Sequence, residues 1–306
     1  MARHIAGRIV QAIVTTFGVL TLVFFLMRLS GDPTLLLVPQ GATAQQIAEL
    51  RHQLGFDRPL VVQYVAYLHQ LLQGDLGQSL VQRMSVASIL GARIPYTMEL
   101  AVGALIVALG IGLPAGVAMA VWRGSWLERA LAGLVLTGLS MPTFWSGILM
   151  ILFFGVILGW LPTSGVAGIP SLIMPSVALG ALSMASFARM TRIAVLDELS
   201  RDYVTAARAR GLSLAAAVAH HVARNAAIPV VTVAALEIGN LLAGAVIVET
   251  VFAWPGIGQL AIQAIAARDF LVVQAIVLFV SFVFILMNLL ADLVYAVIDP
   301  RIRLGT

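Results

Sequence analysis

Six predominantly apolar stretches recur along this chain, at about 9–29, 97–121, 131–158, 173–195, 228–251 and 271–297, each long enough to cross a bilayer. A helix needs about 20 such residues to pass through the hydrocarbon core, and there each backbone amide must find its partner within its own element. The pattern therefore predicts an all-α integral membrane protein with six transmembrane helices. Composition points the same way: of 306 residues, 60% are apolar and 10% charged, and mean hydropathy is +1.00. A soluble domain holds about 45–50% apolar and about 25% charged residues, and this much apolar surface cannot be hidden in one water-exposed fold. The first run follows Arg3 and Arg8. It is too long for the apolar region of a signal peptide, and no A-x-A-like cleavage site follows, so it is expected to be a retained helix.

All 18 basic residues are Arg, and their placement sets an orientation. Two lie at the N-terminus, two in the 122–130 loop, six between 189 and 224 and two in the tail, twelve in all. Six face the other way: Arg28, Arg51, Arg58, Arg83, Arg93 and Arg268. The positive-inside rule then places both termini in the cytoplasm, and an even span count agrees. The sequence pI is near 10.1, yet no basic run exists that would track a nucleic acid, and none is expected as a partner.

Two absences remove whole chemistries. Without Cys the chain has no thiolate nucleophile, disulfide, thiolate zinc site or iron–sulfur cluster. Without Lys it lacks the residue a Walker A loop extends to the terminal phosphates, so it is not expected to split ATP by a P-loop of its own, nor to be an enzyme.

Three segments organise the chain: the N-terminus with the first span (1–30), a polar cap outside the membrane (31–95) and a five-span core (96–306) containing a cytoplasmic loop at 196–226. The cap balances Arg51, Arg58, Arg83 and Arg93 against Asp32, Glu49, Asp57 and Asp75. Within it Thr43 is positioned to cap a helix ending at Gly55, and a second helical stretch, VVQYVAYLHQLLQ, stops at Gly74. The cytoplasmic loop reads as helix–Gly–helix, broken at Gly211, with Ser213 capping the second helix and Pro229 opening the next span. In its first helix Tyr203, Ala206, Ala207 and Arg210 recur at three- and four-residue spacing, a face small enough for another protein to approach closely. Arg208 and Arg210 suit the negative end of that helix. No internal repeat is evident.

Ionisable groups at membrane depth are costly and functional by default. Glu237 lies three residues before Asn240, so the pair shares a helix face and is positioned either to line a path or to bond a neighbouring helix. Glu249, at the outer end of its span, reads as structural, and Asp292 pairs with Asn288 on one face. Adjacent His220 and His221 point about 100° apart on a helix and cannot easily share one ion, so no metal is expected. Gly112-x-x-x-Gly116 and Gly155-x-x-x-Gly159 fit close helix packing, Pro114 and Pro142 mark kinks, WPGIG marks a tight turn, and Trp145, Trp160 and Trp254 fit interfacial or packing roles.

Four stretches in order resemble one known family. DYVTAARARGLS with HVARNAAIPVV resembles the cytoplasmic "EAA" loop of ABC-transporter permeases. LGFDRPLVVQY with GDLGQS, then ETVFAWPGIGQLAIQAIAARDFLVVQA, then NLLADLVYAVIDPRIR, resemble the dipeptide/oligopeptide/nickel branch of binding-protein-dependent ABC importers. The family's leading triad appears as Thr205-Ala206-Ala207, and Arg210 replaces its usual Lys, which keeps charge but alters hydrogen-bond geometry. The resemblance implies a type I ABC-importer-like permease fold and a coupling helix carried by Asp202, Tyr203, Thr205, Ala206, Ala207, Arg208, Arg210 and Gly211. It also implies the partners: a second homologous permease in a heterodimer, two cytoplasmic ATPases that bind ATP and Mg, and an external solute-binding protein. The chain itself would carry no cofactor and form half of the pathway for short peptides, with glutathione, nickel complexes or opines as alternatives. A proton-driven carrier centred on Glu237 is the rival mechanism. A membrane enzyme is the weaker one, because no His lies inside a span.

Overall fold

Helices dominate because the long apolar runs carry few breakers and their backbone has no other partner in lipid. In the computed structural model the described residues are 2–29, 31, 34, 38 and 42–298, and side chains within helices are undescribed at 2–6, 8, 9, 12, 232, 235, 236, 238, 240, 242–244 and 288–298. Asn240, Asn288 and Asp292 therefore lie outside the described side chains. The helices are α1 (Ala2–Leu29), α2 (Ala44–Gln53), α3 (Leu60–Leu72), α4 (Val86–Val121), α5 (Trp126–Ser140), α6 (Thr143–Met150), α7 (Ile169–Leu199), α8 (Asp202–Ala209), α9 (Leu214–Ala217), α10 (Ala223–Val251), α11 (Ile257–Ala266) and α12 (Phe270–Ile298). A π-helical stretch at Ile151–Ile157 extends α6, and another at Val218–Val222 joins α9 to α10.

Among the described residues four helical stretches are long and apolar enough to cross a membrane, or five if a bent pair counts as one span. That pair is the stretch expected as a single helix over 131–158. It is instead broken at Met141–Pro142, with α5 and the α6 segment inclined by 107°. Pro142 lacks the amide that would continue α5 and pushes Met141 into an extended conformation, so the break follows from its ring. Pro229 departs from expectation in the opposite direction. It sits inside α10, and the helix runs on through it from Ser213, whose hydroxyl accepts from the Ala216 amide.

Two compact units emerge, one from the chain up to Pro95 with Gly256–Ile285, the other from Tyr96–Pro255 with the chain from Leu286. The first packs Met27, Val86, Leu90, Leu260, Phe270 and Ile276 into one core. Its short helices obey local chemistry: Thr43 and Gln46 form a reciprocal capping box at the start of α2, while Gly55 and Gly74 supply the positive φ (71° and 77°) that ends α2 and α3. Buried Ser79 donates to Asp269, and Thr21 and Tyr64 share a hydrogen bond.

The second unit is built on glycine contacts between α4 and α7. A Cβ on Gly112 would lie 2.7 Å from the Met184 carbonyl, one on Gly116 would lie 2.6 Å from that of Ala188, and one on Gly180 would lie 2.6 Å from that of Ala104. The helices approach backbone to backbone at these points, as small residues permit in lipid. Leu100, Met174, Leu241, Phe252 and Trp254 fill the adjoining core, and Trp254 is a packing residue whose indole donates to the Tyr96 carbonyl at 2.8 Å. Trp145 and Trp160 are exposed.

Candidate functional site

The site with the most distinctive construction is the short helix α8. α7 ends at Leu199, Ser200 and Arg201 turn the chain, and Arg201 is extended at φ −77° and ψ 147° before α8 begins. Asp202 occupies the first turn and Arg208 the last, each matched to the helix dipole. Gly211, at φ +92°, closes the helix: its amide donates to the Arg208 carbonyl at 2.9 Å, and Leu212 donates to that of Ala207 at 3.3 Å. This is the Schellman pattern, which satisfies two carbonyls the helix end would leave bare.

Two inward residues hold α8 down. Val204 is 1% and Ala207 2% exposed, and Val204 packs with Ala120, Ala194, Val195, Ala217 and Val222. Ala207 is thus turned inward, away from the exposed surface that carries Tyr203, Ala206 and Arg210, although the spacing grouped the four on one face. Asp202, Thr205, Arg208 and Gly211 are also exposed.

A polar clamp secures the same helix from the side. The Tyr203 hydroxyl donates to Glu198 near the end of α7, while the Asn225 amide on α10 reaches Glu198 at 3.3 Å and the Tyr203 oxygen at 3.2 Å. Partial burial and the bond to Glu198 push the Tyr203 phenol above its ordinary range, so it stays a donor at neutral pH. Glu198 also faces Arg201 at 3.9 Å. Sequence reading missed Glu198 and Asn225; the signal available was an acid five residues before Tyr203, at the end of a long helix. It also missed the link between Arg192 on α7 and Glu128 at the start of α5, joined at 3.0 and 2.5 Å, with Glu128 accepting from the Gly124 amide at 2.6 Å. The 122–128 turn and α8 are thus both anchored to the last third of α7.

Of the three carboxylates expected at membrane depth, the two with described side chains are each engaged. Ser183 on α7 donates to Glu237 at 2.7 Å, and Thr97 on α4 donates to the fully buried Glu249 at 2.7 Å. The side chain of Asn240 lies outside those described. His220 and His221 are exposed on the π turn, and His220 contacts the Ala216 carbonyl at 3.1 Å. Among the described residues no cluster of three metal-ligating side chains occurs. What α8 offers is mechanical: a rigid, exposed helix fixed to three longer ones, suited to receiving a displacement.

Long apolar helices carrying one short, clamped helix between polar turns define a multi-pass membrane transport component. Residues 112–304 match the family described as "Binding-protein-dependent transport system inner membrane component", and residues 1–101 match its N-terminal companion family. The chain belongs to this family, the inner-membrane permeases of binding-protein-dependent ABC importers, in the peptide/nickel branch. It is 44% identical over 304 residues to the glutathione transport system permease protein GsiC of Salmonella choleraesuis (strain SC-B67), spanning 99% of each chain. To the protein of the same name in Escherichia coli (strain K12) it is 43% identical over the same span. Among solved structures it resembles the inward-facing MetNI methionine ABC transporter, with TM-score 0.60 and 22% identity over 70% of this chain and 97% of that one. An amino acid ABC transporter solved with histidines aligns with TM-score 0.52 at 18% identity, covering 70% and 94%. These two likenesses establish the fold. Members of the family work with ATPase and binding-protein partners and are not themselves catalytic.

Proposed function

We propose that this chain forms half of the pathway of a heterodimeric importer for small peptides, that glutathione is among its cargo, and that α8 is where a partner ATPase takes hold. The observation that carries the reading is the construction of α8. Its inner face is locked by Val204 and Ala207, its flank is clamped by Glu198 and Asn225, and its outer surface is left bare. A helix held this way moves with α7 and α10 as one body, which is what transmitting ATP-driven closure demands. Arg208 and Arg210 stand exposed at its end, suited to an acidic groove in the partner. The arginine distribution supports cytoplasmic termini, with residues 42–95 on the opposite side.

The name of the relatives favours a γ-glutamyl tripeptide as first cargo to test, and short α-peptides as the second. The tagged chain is purified in mild detergent, its companions are identified by mass spectrometry, and the complex is reconstituted with its binding protein. A second permease and two ATPases should co-purify, and labelled glutathione should accumulate only with ATP. Recovery of the chain alone, still transporting under a proton gradient without ATP, would overturn the reading.

A further inference from the structure

In the first unit a cavity of about 350 Å³ opens between α1, α3 and the start of α12. Its size is at the lower end of small-molecule sites, which admits a solute the size of a di- or tripeptide. Most of the lining is apolar, as in small-molecule sites generally, with a polar set placed on it. It includes Arg28, Arg58, Gln63, Tyr67, Gln70 and Gln274, and among the described residues no carboxylate. The guanidinium carbon of Arg28 lies 5.2, 4.5 and 5.1 Å from the ring centroids of Phe24, Phe56 and Phe270, so three aromatic rings fix the cation in place.

Two amides on this lining are left over by the fold. Gln274 is 1% exposed, yet its Nε2 has no hydrogen-bond partner. Gln63 spends its Nε2 on the Phe56 and Arg58 carbonyls at 3.3 and 2.8 Å, while its buried Oε1 has no partner. Such groups are costly unless something answers them. One is an unanswered donor and the other an unanswered acceptor, both on the wall of the same cavity. The terminal amide torsion of Gln is soft, so the Gln274 amide can turn to meet a ligand, while Gln63, held through its Nε2, presents its Oε1 where it stands. Burial pushes the Tyr67 phenol up to about 12, leaving it a hydroxyl donor at any physiological pH.

We infer that this cavity is a solute site within the permease itself, taking a small molecule that carries both a carboxylate and an amide or ammonium N–H: a short peptide. The carboxylate answers the Gln274 amide beside Arg28 and Arg58, and the N–H answers Gln63 Oε1. The choice of peptide among such molecules rests on the proposed transport function; the cavity and its two unanswered amides do not. The site shares no residue with α8 or with the Glu237 contact, so occupancy and energy coupling are separable by mutation.

The test is equilibrium binding of radiolabelled glutathione and of dialanine to the purified transporter complex in nanodiscs, without ATP and without binding protein. Saturable binding is expected, weakened at least tenfold by Gln274→Met and by Gln63→Met. Met has nearly the shape of Gln and no amide, so both variants should fold, which their thermal unfolding checks. No saturable binding at millimolar peptide, or binding unchanged in both variants, overturns the inference. So does displacement of nothing but phosphatidylglycerol from the cavity, which would make it a lipid site. ATP-driven uptake by the same complex is scored separately. Uptake without cavity binding removes the solute site and leaves the permease reading intact; cavity binding without ATP-driven uptake does the reverse.

Discussion

At the scale of single residues, what matters is which polar groups are answered and by whom. Tyr203 looks from its spacing like an anchor offered to a partner, but its hydroxyl is spent inside the chain on Glu198 and Asn225. Replacing it with Phe keeps the ring and removes the clamp. Unfolding should then be easier by about 0.5–1.5 kcal/mol, the net worth of such a bond. ATP hydrolysis should continue while solute moved per ATP falls severalfold, and a coupling ratio equal to wild type would show that the clamp does not matter. Glu237 separates the two transport mechanisms. Ser183 donates to its carboxyl, and the carbonyl oxygen of Gln can accept the same bond. Glu237→Gln should therefore retain the fold and ATP-dependent uptake to within a few-fold. A proton-driven carrier would instead lose transport outright, which uptake measured with and without a proton gradient will show.

Elements were legible in the sequence wherever their causes are local. The cap at Thr43, the glycines that stop α2 and α3, and the break at Gly211 each depend on a few neighbouring residues, and all stand where their residue types place them. What escaped depends on distant partners. Pro142 was legible as a kink, though not the 107° of its bend, while α10 passes straight through Pro229, which was expected only to open the span. The inward turn of Ala207 was hidden for a related reason: it is buried on the side where Val204 meets Ala194 and Ala217, which lie on other helices. Spacing says which residues share a face, but not which way that face looks. The Gly112-x-x-x-Gly116 motif was legible as a packing device, while Gly180 on α7, which meets Ala104 on α4, belongs to no Gly-x-x-x-Gly pair. This contact yields a paired expectation. Gly180→Ala drives a methyl into the Ala104 carbonyl and should cost about 1–3 kcal/mol. Gly110→Ala, on α4 with nothing within 4 Å of its Cβ, should gain about 0.5–1 kcal/mol from the stiffer backbone. Thermal unfolding of the two in the same detergent checks the pair; equal effects would mean that α4 and α7 do not touch at Gly180.

For the molecule as a whole the question is how force applied at one small helix reaches the membrane core, and Gly211 is where that can be tested. Its φ of +92° closes α8, and a side chain there would meet nothing within 4 Å inside this chain. Size and strain can therefore be separated. Gly211→Ala adds backbone strain of about 1–2 kcal/mol and almost no bulk. Gly211→Trp adds similar strain and a large ring projecting from the exposed end of α8. If α8 were only a solvated turn, both variants would lose a little stability and transport alike. If a partner ATPase grips it, Ala should transport at close to the wild-type rate, while Trp should leave the complex assembled and its ATPase running with uptake lost at least tenfold. The comparison needs only uptake, ATP hydrolysis and the mass of the purified complex. Equal uptake by the Trp and Ala variants would remove α8 from the path of the force, and the search for the contact would move to the 122–128 turn, which the Glu128–Arg192 pair ties to the same helix.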